Sequence, residues 1–273
     1  MRLFILLLMS LFSPGQIVAA SPALEIFDAH IHYSSDVWDK LPPQRVLELL
    51  TEAGVTRALV SATPGEGAER LYRVAPERVV PFLRPYASRE HRYTWSRDAG
   101  VMDYLHAQLA RIPYRGIGEF HLSGEDAGSP VVADVVRLAR ERNLALHAHT
   151  DITGIQALLA QAADIPVIWA HGGFDVLETT LRDLLGKHTH LYIELSFREG
   201  LTEAGKLTPV WYQLMTDFPR RFLTGMDTYK PGRWVELPAL AAEARGWLQQ
   251  LPQDIAHAIA YGNAARLFPV RKE

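Results

Sequence analysis

Apolar and polar positions recur along this chain in one order: a short run of aliphatic and β-branched residues, a turn, then an amphipathic helix. A run near 23–32 opens the series, and a helical pattern around 44–50 follows and stops at Gly54. Residues 55–62 predict a second strand with a short helix near 68–73. Residues 78–83 predict a third, in which Pro81 removes one ladder donor. A polar, aromatic loop over 86–97 leads to a helix over 101–110, and 116–121 form the fourth strand. Ser129-Pro130 then starts a helix with Val131, Val135, Leu138 and Ala139 on one face. The remaining strands fall at 144–149, 167–171, 191–196 and 221–227, with helices at 155–163, 176–185 and 210–218 between them. Eight βα units without a linker predict a (β/α)₈ (TIM) barrel, which takes about 250 residues. A doubly wound open sheet fits the same alternation. The lack of G-x-G-x-x-G after the first strand counts against its dinucleotide-binding form.

Composition narrows the chemistry. At 48% apolar and 22% charged residues the chain is an ordinary globular sequence. Its net charge of -3 gives no electrostatic case for a nucleic-acid or anionic-membrane partner. With no cysteine, disulfides, thiolate metal sites and cysteine nucleophiles are excluded, so any metal must be held by His, Asp and Glu. Residues 1–20 stand apart: Arg2, the apolar stretch 3–9, Pro14-Gly15 and then Val18-Ala19-Ala20 have the order of a secretory signal cleaved after Ala20. That stretch is too short to span a bilayer, and an uncleaved N-terminal anchor or an interfacial helix is the alternative. The expectation is an exported protein, periplasmic or secreted, without stable membrane insertion, whose single domain is 21–273. Its oligomeric state leaves no readable pattern.

In such a barrel the active residues sit at the C-terminal ends of the strands. Those ends carry His30 and His32, Glu119 and His121, His147 and His149, His171, Glu194 with Ser196, and Asp227. Alternate residues of a strand share a face, so His30 and His32 present two imidazoles side by side, half of a zinc-type site. Asp28 has the same parity and is expected one layer below, supporting a ligand. Six of the eleven histidines lie at predicted strand ends, which is why the placement is informative. His188 and His190 precede their strand and belong at the opposite rim, while His91, His106 and His257 fall in a loop or on helix faces.

With these pieces in order, the chain resembles the amidohydrolase superfamily of metal-dependent barrels, closest to its amidohydrolase-related branch of lactonases, other hydrolases and non-oxidative decarboxylases. The resemblance rests on Asp28-Ala29-His30-Ile31-His32, Gly118-Glu119, residues 144–149, Trp169-Ala170-His171, Gly225-Met226-Asp227 and the closing stretch Gly262–Phe268. It implies that His30, His32 and Asp227 bind a divalent metal. It implies a strand-five ligand too, for which His149 is preferred and His147 is the alternative. His171 would bind a second metal or hold the attacking water. Glu119 replaces the modified lysine of many two-metal members and would bind or bridge, so one ion or two stays open. His and carboxylate donors suit Zn²⁺, with Mn²⁺, Fe²⁺ or Co²⁺ as further candidates.

The implied activity is hydrolysis of an amide, ester or lactone of a small molecule, with Asp227 as general base and His171 steadying the oxyanion or the water. A metal-dependent decarboxylase and a non-catalytic metal-binding barrel are the alternatives. For substrate contacts, Tyr33, Trp38, His121, Arg198, Tyr229, Lys230 and Trp234 follow strand ends or lie in their loops. Arg198 is the carboxylate binder among them, and Trp38 and Trp234 are the aromatic platforms.

Overall fold

A computed structural model describes residues 24–270. The expected signal segment lies outside the described residues. Eight parallel strands run in chain order: β1 (Ile26–His32), β2 (Val55–Ser61), β3 (Val79–Leu83), β4 (Gly116–Leu122), β5 (Ala145–Thr150), β6 (Val167–Trp169), β7 (Leu191–Glu194) and β8 (Phe222–Leu223). Each pairs with the next, as the sequence pattern predicts. The ring closes between first and last. Ala29 N–H donates to Thr224 O, Asp227 N–H to His30 O and His32 N–H to Thr228 O, each at 2.8 Å. Closure rules out the doubly wound sheet.

Helices cover the outside as α1 (Pro43–Glu52), α2 (Glu66–Val74), α3 (Val101–Leu109), α4 (Pro130–Glu141), α5 (Ile152–Gln161), α6 (Glu178–Lys187), α7 (Pro209–Asp217) and α8 (Leu237–Leu248). Their starts follow local chemistry: Ser129 caps α4 by accepting from Val132 N–H, and Asp151 caps α5 by accepting from Gly154 N–H. Two apolar compartments result. The larger lies between helices and strands. The smaller fills the barrel with Phe27, Ala29, Leu59, Val80, Phe82, Ala145, Ile168 and Leu223, and Ala264 and Phe268 of the C-terminal stretch close it from below. There Asn263 Nδ2 donates to Pro219 O and Phe222 O.

Two irregularities position the upper layer. Between Asp28 and Ile31, β1 carries one residue more than β2, and between Gly118 and Phe120, β4 carries one more than β5. Such bulges re-aim a side chain. In β1 the bulge lets Phe27 and Ala29 fill the barrel while His30 and His32 still point inward. It also corrects the expected role of Asp28: Oδ1 accepts from the backbone N–H of His30 and of Met226, both at 3.0 Å, and reaches no imidazole. In β4 the bulge turns Glu119 inward, and only glycine fits at Gly118, where φ is +134° and a Cβ would stand 2.1 Å from His147 O.

The predicted strand ends at 170–171 and 224–227 are not regular strand. His171 and Asp227 adopt left-handed φ values of 59° and 45°. The sequence also hides a small hairpin, Thr202–Glu203 with Lys206–Leu207, turned by Ala204 and Gly205 at positive φ.

Candidate metal centre

At the C-terminal mouth of the barrel, side chains from β1, β4 and the stretch after β8 converge. His30 Nε2 and His32 Nε2 are 3.1 Å apart. Asp227 Oδ1 lies 3.6 Å from the first and 3.2 Å from the second. Glu119 adds Oε1 at 3.5 Å from His30 Nε2 and Oε2 at 3.1 Å from His32 Nε2. All four residues are buried.

The ring nitrogens are oriented from behind. His30 Nδ1 donates to Glu194 Oε2 at 2.8 Å, and His171 Nδ1 donates to Ser196 O at 2.8 Å, which leaves each Nε2 as the lone-pair atom. His32 Nδ1 meets Ser61 Oγ at 2.9 Å. Glu194, fully buried at the end of β7, also accepts from His171 N, Ser196 N and Ser196 Oγ. Gly225 makes room for it, since a Cβ there would be 2.1 Å from Glu194 Oε1.

Electrostatics match this picture. Burial works against a charge on His30, yet the carboxylates of Asp227, Glu119 and Glu194 drive its pKa well above the ordinary imidazole value. Burial likewise opposes ionisation of Glu119 and Asp227, but the surrounding imidazoles hold both well below the usual carboxylate range.

The donor set fits a metal ion. Ligand atoms in tetrahedral array around Zn²⁺ at its usual bond lengths lie about 3.3–3.4 Å apart. The separations among His30 Nε2, His32 Nε2 and Asp227 Oδ1 run from 3.1 to 3.6 Å, so these three residues form one group of ligand atoms, and Glu119 offers a different oxygen to each imidazole. Asp227 Oδ1 is buried with no hydrogen-bond donor among the described residues, as an oxygen reserved for a cation would be.

His149 stands on the far side of Glu119, with Nδ1 3.0 Å from Oε1, and His171 Nε2 lies 3.7 Å from the same oxygen. His147 sits a layer below, fully buried, and neither ring nitrogen has a hydrogen-bond partner among the described residues. Burial holds it neutral. Of the two strand-five histidines, His149 is the one that reaches the cavity.

A cleft of about 410 Å³ opens above the centre. Its floor is His32, Glu119, His149, His171 and Asp227, and its walls include Phe174, Phe197, Tyr86 and Tyr229. His121 lines it as well, with its pKa pushed by burial down to about 3. Three arginines, Arg84, Arg89 and Arg92, also face it. All three follow β3: Arg84 comes directly after the strand, and Arg89 and Arg92 lie in the 86–97 stretch that the sequence showed only as polar and aromatic. The signal that would have found them is position, because that loop is also a strand's C-terminal end.

Most of the expected substrate residues lie elsewhere. Arg198 stacks 4.9 Å over Trp211 and donates to Val176 O, lining a separate cavity between β7 and α8. Tyr33 and Trp234 are buried, donating to Leu41 O and His32 O, and Trp38 donates to Tyr33 O beneath Arg70. Lys230 is exposed beside Tyr229. No helix among the described residues is long and apolar enough to cross a membrane.

No protein-family model and no curated protein matches the chain. Solved structures do. An uncharacterised TIM-barrel protein of Bordetella bronchiseptica superposes with a TM-score of 0.64 at 12% identity, over 89% of this chain and 98% of the other. A protein of Pseudomonas putida described as a 2-pyrone-4,6-dicarboxylic acid hydrolase gives 0.62 at 16%, over 92% and 99%. An amidohydrolase of Burkholderia multivorans with bound zinc gives 0.56 at 15%, over 90% and 100%. The chain thus has, over nearly its whole described length, the barrel fold of solved amidohydrolases.

Proposed function

We propose that this chain is a metal-dependent hydrolase of the amidohydrolase superfamily, acting on an ester or lactone that carries a carboxylate. The observation that carries the reading is the convergence of His30 Nε2, His32 Nε2 and Asp227 Oδ1 at metal-ligand separations, with Glu119 beside both imidazoles. These four residues would hold Zn²⁺ or another divalent ion. When bound, such an ion lowers the pKa of water to about 7 and polarises a carbonyl.

The chain's own groups do the rest. Asp227 faces both the imidazoles and the cleft, so its carboxylate takes the proton from the attacking water. As the new C–O bond forms and the bond to the leaving group breaks, the same carboxylate returns that proton to the departing oxygen. His171, with Nδ1 committed to Ser196 O, presents Nε2 to the reacting centre. Phe174 and Phe197 wall the cleft and limit bulk water.

The substrate class rests on Arg89 and Arg92 in the cleft wall. Arg89 is paired with Asp36 at 2.8 Å, while Arg92 has a buried Nε with no partner among the described residues. A planar guanidinium suits a carboxylate. The Pseudomonas protein's description, naming a dicarboxylic acid, agrees with that reading. The same arginines also support a second reading, decarboxylation, in which no water attacks. We further propose export through residues 1–20, which N-terminal sequencing of the cell-derived protein would test by a start at Ser21.

The deciding experiment is elemental mass spectrometry of wild type beside Asp227→Asn, followed by a screen of carboxylated lactones and esters. Bound metal with ring opening in the wild type alone is expected. Absence of metal after reconstitution with Zn²⁺ or Mn²⁺ would refute the reading, and CO₂ release without hydrolysis would replace it by the decarboxylase.

A further inference from the structure

The backbone after β8 breaks its strand geometry to bring Asp227 to the centre. The Asp227 N–H is tied to β1 through His30 O at 2.8 Å, and its φ of 45° is a left-handed conformation that costs an L residue free energy unless its surroundings hold it there. In a regular strand successive residues face opposite ways, so two consecutive carbonyls do not meet one donor group. Here they do. Arg233 Nε lies 3.1 Å from Met226 O and 2.8 Å from Asp227 O, and Arg233 Nη2 donates to Met226 O at 2.7 Å.

Arg233 is itself placed by its neighbours. It lies on the short helix Pro231–Val235, where the next residue, Trp234, is buried with its indole N–H on His32 O. The guanidinium carbon stands 4.0 Å from the ring centroid of Phe197, a second left-handed residue (φ 52°) whose side chain walls the cleft. One cation thus supports both a backbone turn under the centre and a wall above it.

We propose that Arg233 is a positioning residue of the metal centre, which holds Asp227 in its left-handed conformation through the carbonyls of Met226 and Asp227. That conformation delivers Oδ1 to 3.6 Å from His30 Nε2 and 3.2 Å from His32 Nε2. The inference rests on the metal-centre reading above and adds to it the group that keeps the third ligand in place.

The physical reason is the pair of carbonyls. Met226 and Asp227 are both buried, and a buried carbonyl needs a donor. With the guanidinium removed, two neighbouring dipoles of like orientation lose the charge that offsets their repulsion. Relaxation of residue 227 toward extended backbone relieves that repulsion, and it swings the carboxylate away from the imidazoles. The bonds of Arg233 go to main-chain atoms, so its effect on the centre passes through the backbone of Asp227.

Metal-stripped wild type, Arg233→Ala and Arg233→Lys would be loaded with Co²⁺, whose visible absorption reports ligand geometry, and their Zn²⁺ affinity measured by chelator competition. Arg233→Ala is expected to bind Zn²⁺ about 10–100-fold more weakly, as when other groups that orient a ligand are removed, and to show an altered Co²⁺ spectrum. Arg233→Lys keeps the charge but not the fork that spans two carbonyls, and should fall between the two. If Arg233→Ala fails to fold, as judged by circular dichroism, Arg233→Lys carries the test on the same two readouts. A folded variant with wild-type affinity, or with weaker affinity and an unchanged Co²⁺ spectrum, would overturn the inference while sparing the metal-centre reading. No bound metal in wild type would overturn both.

Discussion

Glu194→Gln is the substitution whose effect the geometry specifies most closely. The carboxylate accepts on Oε2 from His30 Nδ1 at 2.8 Å, His171 N at 3.2 Å and Ser196 Oγ at 2.9 Å, and on Oε1 from Ser196 N at 2.5 Å. Glutamine has nearly the same shape but only one accepting atom. If its oxygen takes the Oε2 position, its amide group faces the Ser196 N–H, donor against donor. If its oxygen takes the Oε1 position, the amide faces His30 Nδ1 and forces the imidazole proton onto Nε2, aimed at the metal position. Either way a charge-assisted bond is lost in a fully buried place, worth about 1.5–3 kcal/mol of stability. The second arrangement also removes a ligand. Changes of this kind, in groups that orient metal-binding imidazoles, lower affinity about 10–100-fold. Zinc affinity measured by chelator competition, alongside urea denaturation of the metal-free protein, reads both effects. A Glu194→Gln protein that binds zinc as tightly as wild type would show that Glu194 does not set the His30 tautomer.

Other perturbations separate other parts of the argument. Gly225→Ala puts a methyl group 2.1 Å from Glu194 Oε1 and 2.9 Å from His30 Cβ, so it should cost about 1–3 kcal/mol in denaturation and lower zinc affinity together. His147→Leu removes a ring whose nitrogens bond nothing among the described residues, and should change stability by less than about 1.5 kcal/mol with metal content intact. Loss of metal from that variant would make His147 the strand-five ligand. Glu69, on the buried face of α2, accepts from Arg111 and Arg73 at 2.7 Å each. Arg111 first, then Arg73, outweighs burial and depresses its pKa, so the ion pairs stabilise above the unfolded carboxylate pKa and are lost as pH falls through the folded value. Both arginines are about half exposed or more, so Glu69→Gln should cost only about 1 kcal/mol near neutrality. In acid its denaturation curve should merge with that of wild type.

The barrel was legible because each strand is buried on both faces and each helix on one, a pattern that does not depend on distant contacts. His30, His32, Glu119, His149, His171 and Asp227 were legible for a related reason: strand ends in a barrel share one rim. What escaped depends on atoms far apart in sequence. Asp28 has the parity of a supporting carboxylate, but the β1 bulge diverts it to backbone amides, and Glu194 at the end of β7, one strand beyond β8, supports His30 instead. Arg84 belongs to a loop whose path is set by its own bonds to Thr63 and Glu119. Arg198 looked like a carboxylate binder by residue type, yet Trp211 on α7 draws it away from the cleft.

Closure of β1 against the stretch after β8 also bears on how the protein is made. Asp28 and Met226 touch although 198 residues separate them, and His30 and Asp227 lie beside that contact. At about 5–20 residues per second, the ribosome takes roughly 10–40 s to add that intervening length. Throughout that interval the nascent chain has its two β1 histidines but lacks the carboxylate that would complete their site. A polypeptide stopped before Phe222 should therefore retain no stoichiometric zinc after dialysis, which elemental analysis would detect. If residues 1–20 direct export as proposed, the barrel closes after translocation. The metal it acquires is then drawn from the supply outside the cytosol, so the timing of closure as well as ligand chemistry selects the ion.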